Sequence, residues 1–311
     1  MTAIQITDLR KTYGSINALD GLTLAVETGT VFGFLGPNGA GKSTTLRILT
    51  GLARPTSGQA QIAGVDITRR GEIARRIGYL PEEPAFYGWM NPAEFLDHVA
   101  RTFGMNAAQR KVRAAELLAQ VGLSDVSKRR IAGFSRGMRQ RLGLAQAMIN
   151  HPAVLLLDEP VSALDPVGRK EVLQAIQTMR GQTTIFMSTH ILADVERVCD
   201  TVAIIDHGKL VVEAPQAELL ARYTIPAYEL ECEPGSEAPF KAWASGLTGQ
   251  PWVASVIANG GSARVIVNDL AAARSGLLPL AAASGLPLRR FEVVTPSLED
   301  IFMRLVKAEE K

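Results

Sequence analysis

The chain is poor in cysteine, in net charge and in long apolar runs. Its 311 residues include two cysteines, Cys199 and Cys232, which are too far apart for a C-x-x-C redox or zinc motif. The formal net charge is +2, so no global positive field favours nucleic acid as a partner. No apolar run reaches the ~18 residues of a membrane span, and the first residues lack the basic and apolar regions of a signal peptide. We therefore expect a cytoplasmic protein, whose membrane spans, if it acts at a membrane, belong to another polypeptide.

The apolar residues that are present follow the pattern of an α/β protein. They make up 47% of the chain, which is enough for buried cores. Short continuous apolar runs are typical of buried parallel strands, and they occur at 31–35, 153–157, 183–187 and 201–205. Alternating apolar and polar residues over 1–35 predict antiparallel strands. Spacings of three and four between about 85 and 150 predict a helical region. The fold class is therefore α/β with a largely parallel sheet.

The composition changes after Arg222, where turn clusters begin to separate strand-like runs. We expect a first domain over 1–222 and a small α+β domain over 225–311. In the second domain, strands are expected at 227–232, 252–258, 263–267 and 288–294, and helices at 270–284 and 297–307. This domain offers no catalytic cluster, so regulation or support of a dimer is its expected role.

A glycine-rich segment follows the first buried strand and precedes a helix. It consists of Gly36, Pro37, Asn38, Gly39, Ala40, Gly41, Lys42, Ser43 and Thr44. This segment, called the phosphate loop below, fits G-x-x-x-x-G-K-[ST]. Its glycines let backbone N–H groups approach a phosphate, and a helix over Ser43–Leu52 adds its positive end. We expect Lys42 to reach the β- and γ-phosphates and the Ser43 hydroxyl to hold Mg²⁺. A chance glycine turn is the alternative, but strand, loop and helix together favour a nucleoside triphosphate site.

Two carboxylates, Asp158 and Glu159, end the apolar run at 153–157. An acidic pair at the end of a buried strand is costly unless a cation or a polar network neutralises it. We expect Asp158 to hold Mg²⁺ directly or through water, and Glu159 to orient and deprotonate the water that attacks the γ-phosphate. The alternative is a helix N-cap followed by an acidic first turn, which Pro160 and the upstream phosphate loop make weaker.

A third segment places Ser135 and Gly137 at the start of a helix. With Ser135 as the N-cap, such a helix start can bind an anion, although the pattern by itself is common. The order of phosphate loop, Ser-x-Gly helix start and Leu-Asp-Glu-Pro segment resembles the ATP-binding cassette (ABC) ATPases. The resemblance covers residues 2–220. It implies a P-loop NTPase core with an antiparallel β subdomain and a helical subdomain at about 85–150.

The resemblance also implies roles for residues that composition does not single out. Tyr13 matches an aromatic residue that stacks on adenine, Asp165 lies in the match to the D-loop at 162–165, and His190 matches the switch histidine at the γ-phosphate. Without the resemblance, Tyr13 and His190 are ordinary residues at strand ends. In this family two cassettes enclose two ATPs, which implies a head-to-tail dimer with a second copy or a similar chain. Ser135 and Gly137 then contact the partner's nucleotide.

The chain departs from the family pattern at two sites. The usual LSGGQ signature reads FSRGM, with Arg136 and Met138 at the replaced positions, and Glu82 stands where the family has a glutamine. The Glu82 carboxylate can reach Mg²⁺ and its waters but adds negative charge beside the triphosphate, so we rank it below Glu159 as the catalytic base. In both departures, this chain resembles the bacterial subgroup that energises ABC-2-type exporters. It also resembles that subgroup in the runs at 137–148 and 296–302.

Aromatic side chains follow Glu82 in a loop bounded by proline and glycine. Phe86, Tyr87 and Trp89, together with Met90, can form a groove for a short helix of a partner or can seal the core of the helical subdomain. In the family, the membrane permease docks at this place. We therefore expect a contact with a permease over 82–90.

The sequence thus predicts the ATP-hydrolysing subunit of an ABC transporter. It is expected to lie at the cytoplasmic face of the membrane and to drive a separate permease, with export as the direction. The alternative is a soluble ABC-type ATPase that remodels ribosomes or DNA. Such relatives carry two cassettes or a long coiled coil, whereas the interval between phosphate loop and signature is about ninety residues without sustained heptads. A small-molecule kinase explains neither Ser135 nor His190.

Overall fold

The computed structural model describes residues 1–162, 164–223 and 226–294 of the chain. The structure divides into two compact units after Gln216, and the boundary that we place at 222–225 stays a prediction. The expected helix at 297–307, the run at 296–302 and Ala163 of the D-loop match lie outside the described residues. Among the helices of the described ranges, none combines the length and the apolar composition that crossing a bilayer requires.

Strands and helices alternate in the first unit. In the described residues its strands are β1 (Thr2–Tyr13), β2 (Ile16–Glu27), β3 (Val31–Leu35), β4 (Ser57–Ile62), β5 (Val65–Asp66), β6 (Ile77–Leu80), β7 (Val154–Asp158), β8 (Thr184–Thr189), β9 (Thr201–Asp206) and β10 (Lys209–Pro215). Its helices are α1 (Lys42–Leu49), α2 (Arg70–Arg76), α3 (Pro92–Thr102), α4 (Ala107–Gln120), α5 (Arg136–Ala147), α6 (Pro166–Thr178) and α7 (Leu192–Val198), and α8 (Gln216–Tyr223) runs across the division.

A six-stranded sheet forms the centre of this unit. Its strand order is β10-β9-β3-β8-β7-β6, and all neighbours are parallel except β10, which pairs antiparallel with β9. Every residue of β3, β7 and β8 is buried, as expected of parallel strands covered on both faces. Because β3, β8 and β7 are adjacent and parallel, the segments that follow them emerge at one edge. These segments are the phosphate loop after β3, the segment at His190 after β8 and the acidic pair at the end of β7.

The antiparallel strands predicted for the N-terminal residues are confirmed, with β1 and β2 twelve residues long each. They belong to a second sheet of order β2-β1-β4-β5, whose apolar face packs on α1 and the central sheet in one continuous core. Helix α1 is shorter than predicted, since it ends at Leu49 and not at Leu52. Gly51 follows with a φ of 75°, and a left-handed glycine at this position commonly ends a helix.

Helices α3, α4 and α5 form the helical region that the sequence predicts between 85 and 150. Helices α3 and α4 each begin with a capping box, in which Asn91 pairs with Glu94 and Asn106 pairs with Gln109. Ser135 is the N-cap of helix α5, and its hydroxyl accepts a hydrogen bond from the backbone N–H of Met138. The side-chain cap predicted for Ser135 is therefore present.

The second unit is a split β-α-β arrangement. It contains β11 (Ala227–Cys232), α9 (Glu237–Gly246), β12 (Val253–Asn259), β13 (Ser262–Val267), α10 (Leu270–Ala283) and β14 (Leu288–Val294), in the sheet order β12-β13-β11-β14. Both helices pack against one face of the sheet around Tyr228 and Phe240. Helix α9 was not predicted, because the turn cluster at 233–236 reads as the start of a loop; Pro239 in the first turn was the available signal.

Gly78 lets β6 lie directly against the end of α5. A Cβ atom at Gly78 would stand 1.9 Å from the carbonyl oxygen of Ala147, so the strand and the helix cannot keep this distance with any larger residue. Glu82 lies shortly after β6, and Ser135 precedes α5. The close contact therefore fixes two segments of the site relative to each other.

We expect Gly78→Ala to lower the free energy of unfolding by about 2 kcal/mol or more, because backbone must move to admit the methyl group. Thermal and denaturant unfolding of the purified chain measure the effect. Gly71→Ala in α2 is the matched control, since nothing lies within 4 Å of its added Cβ; there the change should be neutral or stabilising by up to about 1 kcal/mol. Equal unfolding of both variants would contradict the packing argument.

Candidate functional site

The phosphate loop uses its glycines for different reasons. Gly39 and Gly41 have φ angles of 86° and 108°, which side chains other than glycine rarely adopt. Gly36 is required for space, because a Cβ there would stand 2.5 Å from the carbonyl oxygen of Ile205. The loop therefore keeps its backbone conformation only with glycine at these three places.

Lys42 lies at the centre of the site and is almost completely buried. Its Nζ donates to the carbonyl oxygens of Gly36 at 2.8 Å and Pro37 at 3.2 Å, and lies 3.4 Å from Oε1 of Glu159. These partners satisfy the three donors of the ammonium group. A phosphate that enters the loop offers anionic oxygens, which are stronger acceptors than the two carbonyls.

Asp158 is held by two hydroxyl groups. Its Oδ1 accepts hydrogen bonds from Ser43 Oγ at 3.1 Å and from Ser188 Oγ at 2.8 Å. Ser188 is opposite Asp158 in the β7–β8 ladder, so strand register alone brings the two side chains together. The sequence analysis did not assign a role to Ser188. A polar residue at the end of a buried strand was the available signal.

Glu159 has an unusual backbone conformation that aims its side chain into the site. Its φ is 47°, in the left-handed region that costs a residue with a Cβ about 1–2 kcal/mol. Its N–H donates to the carbonyl oxygen of Ser188 at 3.1 Å and to Ser188 Oγ at 3.2 Å. Its carboxylate contacts Lys42 through Oε1 and His190 Nδ1 through Oε2 at 2.9 Å. Lys42, Glu159 and His190 thus form a connected polar cluster, to which the neighbouring Asp158 adds a second buried carboxylate.

The charges in the cluster do not balance. Two buried carboxylates, those of Asp158 and Glu159, face one buried ammonium group, that of Lys42. Burial raises the pKa of Tyr79 to about 12, and the Asp158 carboxylate adds to this shift as the second cause. A polyanion bound in the loop would increase this excess, so it must bring a cation with it.

A cavity of about 300 Å³ opens in front of the loop. Its lining residues in the described ranges are Ala18, Asn38, Gly39, Gly41, Lys42, Ser43, Thr44, Glu82, Glu159, Ser162 and His190. The structure therefore brings together most of the loop, Glu159, His190 and Glu82. Asp158 lies directly behind Ser43, and Ala18 and Ser162 are lining residues to which the sequence analysis gave no role of their own.

Glu82 is tied to the site by its side chain and its backbone. Its Oε1 accepts a hydrogen bond from Ser162 Oγ at 3.3 Å, and its carbonyl oxygen accepts one from Gln140 Nε2 at 2.7 Å. Gln140 is buried in α5. The segment after β6 is thus linked both to the segment after Glu159 and to the helix that begins at Ser135.

Among the described residues, seven expected nucleotide contacts are absent from the cavity lining: Gly36, Pro37 and Ala40 within the loop, and four residues of other segments. Tyr13, Ser135, Gly137 and Asp165 are absent from the cavity lining found in the described part of the chain. Tyr13 is 45% exposed, with Lys11 Nζ 4.6 Å from its ring centroid. Ser135 caps α5, and the Asp165 carboxylate caps α6 by accepting from the N–H of Gly168 at 3.1 Å. Their nucleotide contacts stay predictions.

The aromatic loop after Glu82 divides its side chains between core and solvent. Phe86 packs edge-on against Phe95 of α3, with ring centroids 5.1 Å apart. Tyr87 and Trp89 are 53% and 67% exposed, and their ring centroids are 6.1 Å apart. One aromatic residue therefore helps to seal the helical region, while two form an exposed apolar pair.

The chain matches two family models, described as "ABC transporter" over residues 19–162 and "ATP-binding protein DrrA1-3-like, C-terminal domain" over residues 216–306. It is similar to the uncharacterized ABC transporter ATP-binding protein YxlF of Bacillus subtilis (strain 168), with 39% identity over 98% of this chain and 100% of that protein. It is also similar to the Nod factor export ATP-binding protein I of Paraburkholderia xenovorans (strain LB400), with 38% identity over 70% of this chain and 73% of that protein. A solved structure of an ATP-binding subunit of an ABC transporter is similar at 30% identity, with a TM-score of 0.64, over 71% of this chain and 93% of that chain.

We expect Lys42→Ala to weaken ATP binding about tenfold to hundredfold, because the charge-assisted contacts are lost and the two carboxylates then repel the triphosphate. Titration calorimetry with the purified chain measures the dissociation constant. Lys111→Ala on the exposed surface of α4 is the matched control, since it removes the same charge outside the cavity. Unchanged affinity in the Lys42 variant would contradict the assignment of the phosphate loop.

Proposed function

Because this chain belongs to the ABC transporter family of ATP-binding proteins, we propose that it binds ATP with Mg²⁺ in the cavity around Lys42 and uses Glu159 as the general base. ABC ATPases hydrolyse ATP, and the chain is an ATPase of this family. The observation that carries the residue assignment is the position of the Glu159 carboxylate between Lys42 and His190, at 3.4 Å and 2.9 Å, on the wall of the cavity.

The roles in hydrolysis follow from this arrangement. Lys42 binds oxygens of the β- and γ-phosphates and draws charge toward the phosphate that is transferred. Glu159 accepts a proton from the water whose oxygen attacks the γ-phosphorus, while the bond to the ADP oxygen breaks. His190 donates its Nδ1–H to Glu159 and so keeps the carboxylate turned toward the cavity. Its Nε2 can donate to an oxygen of the γ-phosphate only when it also carries a proton, as in the imidazolium form.

The residues around Ser43 are suited to a magnesium ion. Mg²⁺ prefers hard oxygen ligands, usually one or two from the protein with the rest from phosphates and water. Ser43 Oγ and the Asp158 carboxylate offer such oxygens within 3.1 Å of each other, and the excess negative charge of the cluster favours a cation. When bound, Mg²⁺ neutralises charge on the β- and γ-phosphates. Glu82 is a third candidate, acting through water.

A second cassette completes the site in this proposal. Ser135, Gly137 and Asp165 lie outside the cavity lining of their own chain, and Ser135 and Asp165 are exposed at the starts of α5 and α6. In a head-to-tail dimer with a second copy or a similar chain, these helix starts meet the partner's ATP. Tyr13 stacks on adenine in the same complex.

We further propose that the chain drives a separate permease and that the direction is export. The exposed pair Tyr87 and Trp89 supports the permease contact, because adjacent exposed aromatic side chains are typical of docking sites. The similarity to a Nod factor export protein supports the direction. The chain would then work at the cytoplasmic face of a membrane. Hydrolysis coupled to ribosome or DNA remodelling has no comparable support.

We expect Glu159→Gln to lower ATP hydrolysis at least about hundredfold, because a neutral amide cannot accept the proton of the attacking water. ATP binding should persist and trap an ATP-bound dimer. Phosphate release measures turnover, and light scattering with ATP and Mg²⁺ measures the mass.

The matched control for this variant is Glu116→Gln on α4, where an exposed carboxylate is replaced by the same amide. It should keep parent hydrolysis and should dissociate after turnover. Hydrolysis near the parent rate in the Glu159 variant would show that another group is the base.

We expect the double substitution Tyr87→Ala and Trp89→Ala to abolish recovery of the permease. ATP hydrolysis by the isolated chain with these two changes should stay within about twofold of the parent rate, because a docking pair contributes binding energy but takes no part in the chemistry. Tagged Glu159→Gln chain, with and without the two changes, is recovered from gently solubilised membranes in the presence of ATP. Val112→Ala, at an exposed position on α4, is the control. Recovery of ribosomal or DNA-bound proteins without a polytopic membrane protein would favour the soluble alternative.

A further inference from the structure

An ion pair between a buried aspartate and a partly exposed arginine joins the two helices that follow the catalytic segments. Arg169 in α6 donates its Nε–H to Oδ1 of Asp194 in α7 at 2.6 Å. Asp194 is 1% exposed, and a third of the Arg169 side chain reaches solvent. A second contact joins the same helices, from Gln177 Nε2 to the carbonyl oxygen of Arg197 at 3.1 Å.

The position of this pair connects it to the site. Helix α6 is the helix after β7 and Glu159, and α7 begins two residues after His190. The strands that precede these segments, β7 and β8, are neighbours in the sheet. Helix α7 thus continues the segment of His190 and α6 follows the segment of Glu159, and the two side chains are 2.9 Å apart.

Stability alone is a poor reason for this pair. Taking the Asp194 carboxylate out of water is costly, and buried ion pairs are often replaceable by apolar residues without loss. Asp194 is also incompletely satisfied, because its Oδ2 is buried and has no hydrogen-bond partner among the described residues. Burial raises the pKa of Asp194, and Arg169 opposes the shift. A costly buried contact that joins two helices is better explained by the geometry that it imposes.

We infer that Arg169 and Asp194 are positioning residues for ATP hydrolysis: their ion pair holds α7 against α6 and thereby holds His190 against the Glu159 carboxylate. The inference rests on the proposed roles of Glu159 and His190. The pair makes no contact with the phosphate loop, so it acts on the chemical step and not on nucleotide binding.

The test compares steady-state hydrolysis by the full chain carrying Asp194→Asn, Arg169→Gln or both. We expect each single change to lower kcat at least about tenfold and to leave KM for ATP within about twofold, because a small displacement of His190 affects only the reacting geometry. Since the two residues act as one unit, the double variant should be no slower than the slower single variant. Arg169→Lys, whose ammonium group can reach the same oxygen, should recover most of the parent kcat.

The matched control is Arg180→Gln. Arg180 follows α6 and forms an ion pair with Asp200, which follows α7, so this pair lies at the opposite ends of the same helices from His190. We expect its kcat to stay within about twofold of the parent, because a surface ion pair contributes little. Thermal unfolding of each variant shows whether it is folded at the assay temperature.

The outcomes separate this inference from the function on which it rests. A folded Asp194→Asn chain with kcat within about twofold of the parent, or losses that multiply in the double variant, would overturn the inference. An equal loss of kcat in Arg180→Gln would also overturn it. Should Asp194→Asn not fold, Arg169→Gln decides alone, since its side chain is partly exposed. Failure of the proposed function appears differently, as parent-level hydrolysis by Glu159→Gln.

Discussion

The site depends on one constraint, that the carboxyl ends of three adjacent parallel strands meet at one edge of a sheet. β3, β8 and β7 deliver the phosphate loop, His190 and the acidic pair to the same place, and open α/β sheets bind ligands at such edges. The Lys42–Glu159 contact at 3.4 Å joins the first strand's loop to the third strand's end across β8. Two buried carboxylates and one ammonium group are thereby brought together without a balancing charge. The arrangement favours a ligand that carries anionic oxygens together with a cation.

Backbone strain at this edge has a local cause. Glu159 takes a left-handed conformation with φ of 47°, and the two hydrogen bonds from its N–H to Ser188 offset part of the cost. Ser188 also donates to Asp158, so one buried hydroxyl contacts both the carboxylate of Asp158 and the backbone of Glu159. A strained residue held by its neighbours cannot relax away from the cavity, as the proposed general base requires.

Local sequence patterns were sufficient for the fold and for much of the site. The apolar runs predicted the central strands because a parallel strand that is buried on both faces needs apolar residues at successive positions. The phosphate loop is recognisable because its backbone requires glycine at defined positions. Contacts between distant segments could not be predicted in this way. Ser188 with Asp158 depends on strand register, Ser162 with Glu82 depends on two loops, and α9 was hidden by a turn cluster. The local sequence marks at most one partner of such a pair, as with the polar Ser188 at the end of a buried strand, and does not show which residue that partner contacts.

Two of the residues outside the cavity cap helices with their side chains, Ser135 at α5 and Asp165 at α6. Ser135 accepts the N–H of Met138 at the start of α5, and this cap uses only an acceptor lone pair of the hydroxyl. Its O–H donor therefore stays available, beside backbone N–H groups and the positive end of the helix dipole. A Cβ atom at Gly137 would stand 3.4 Å from the Cα of Gly168, so glycine lets the starts of α5 and α6 lie close together. Capping thus stabilises the helix and leaves free a donor that the cavity of its own chain does not use, as the proposed site shared between two chains requires.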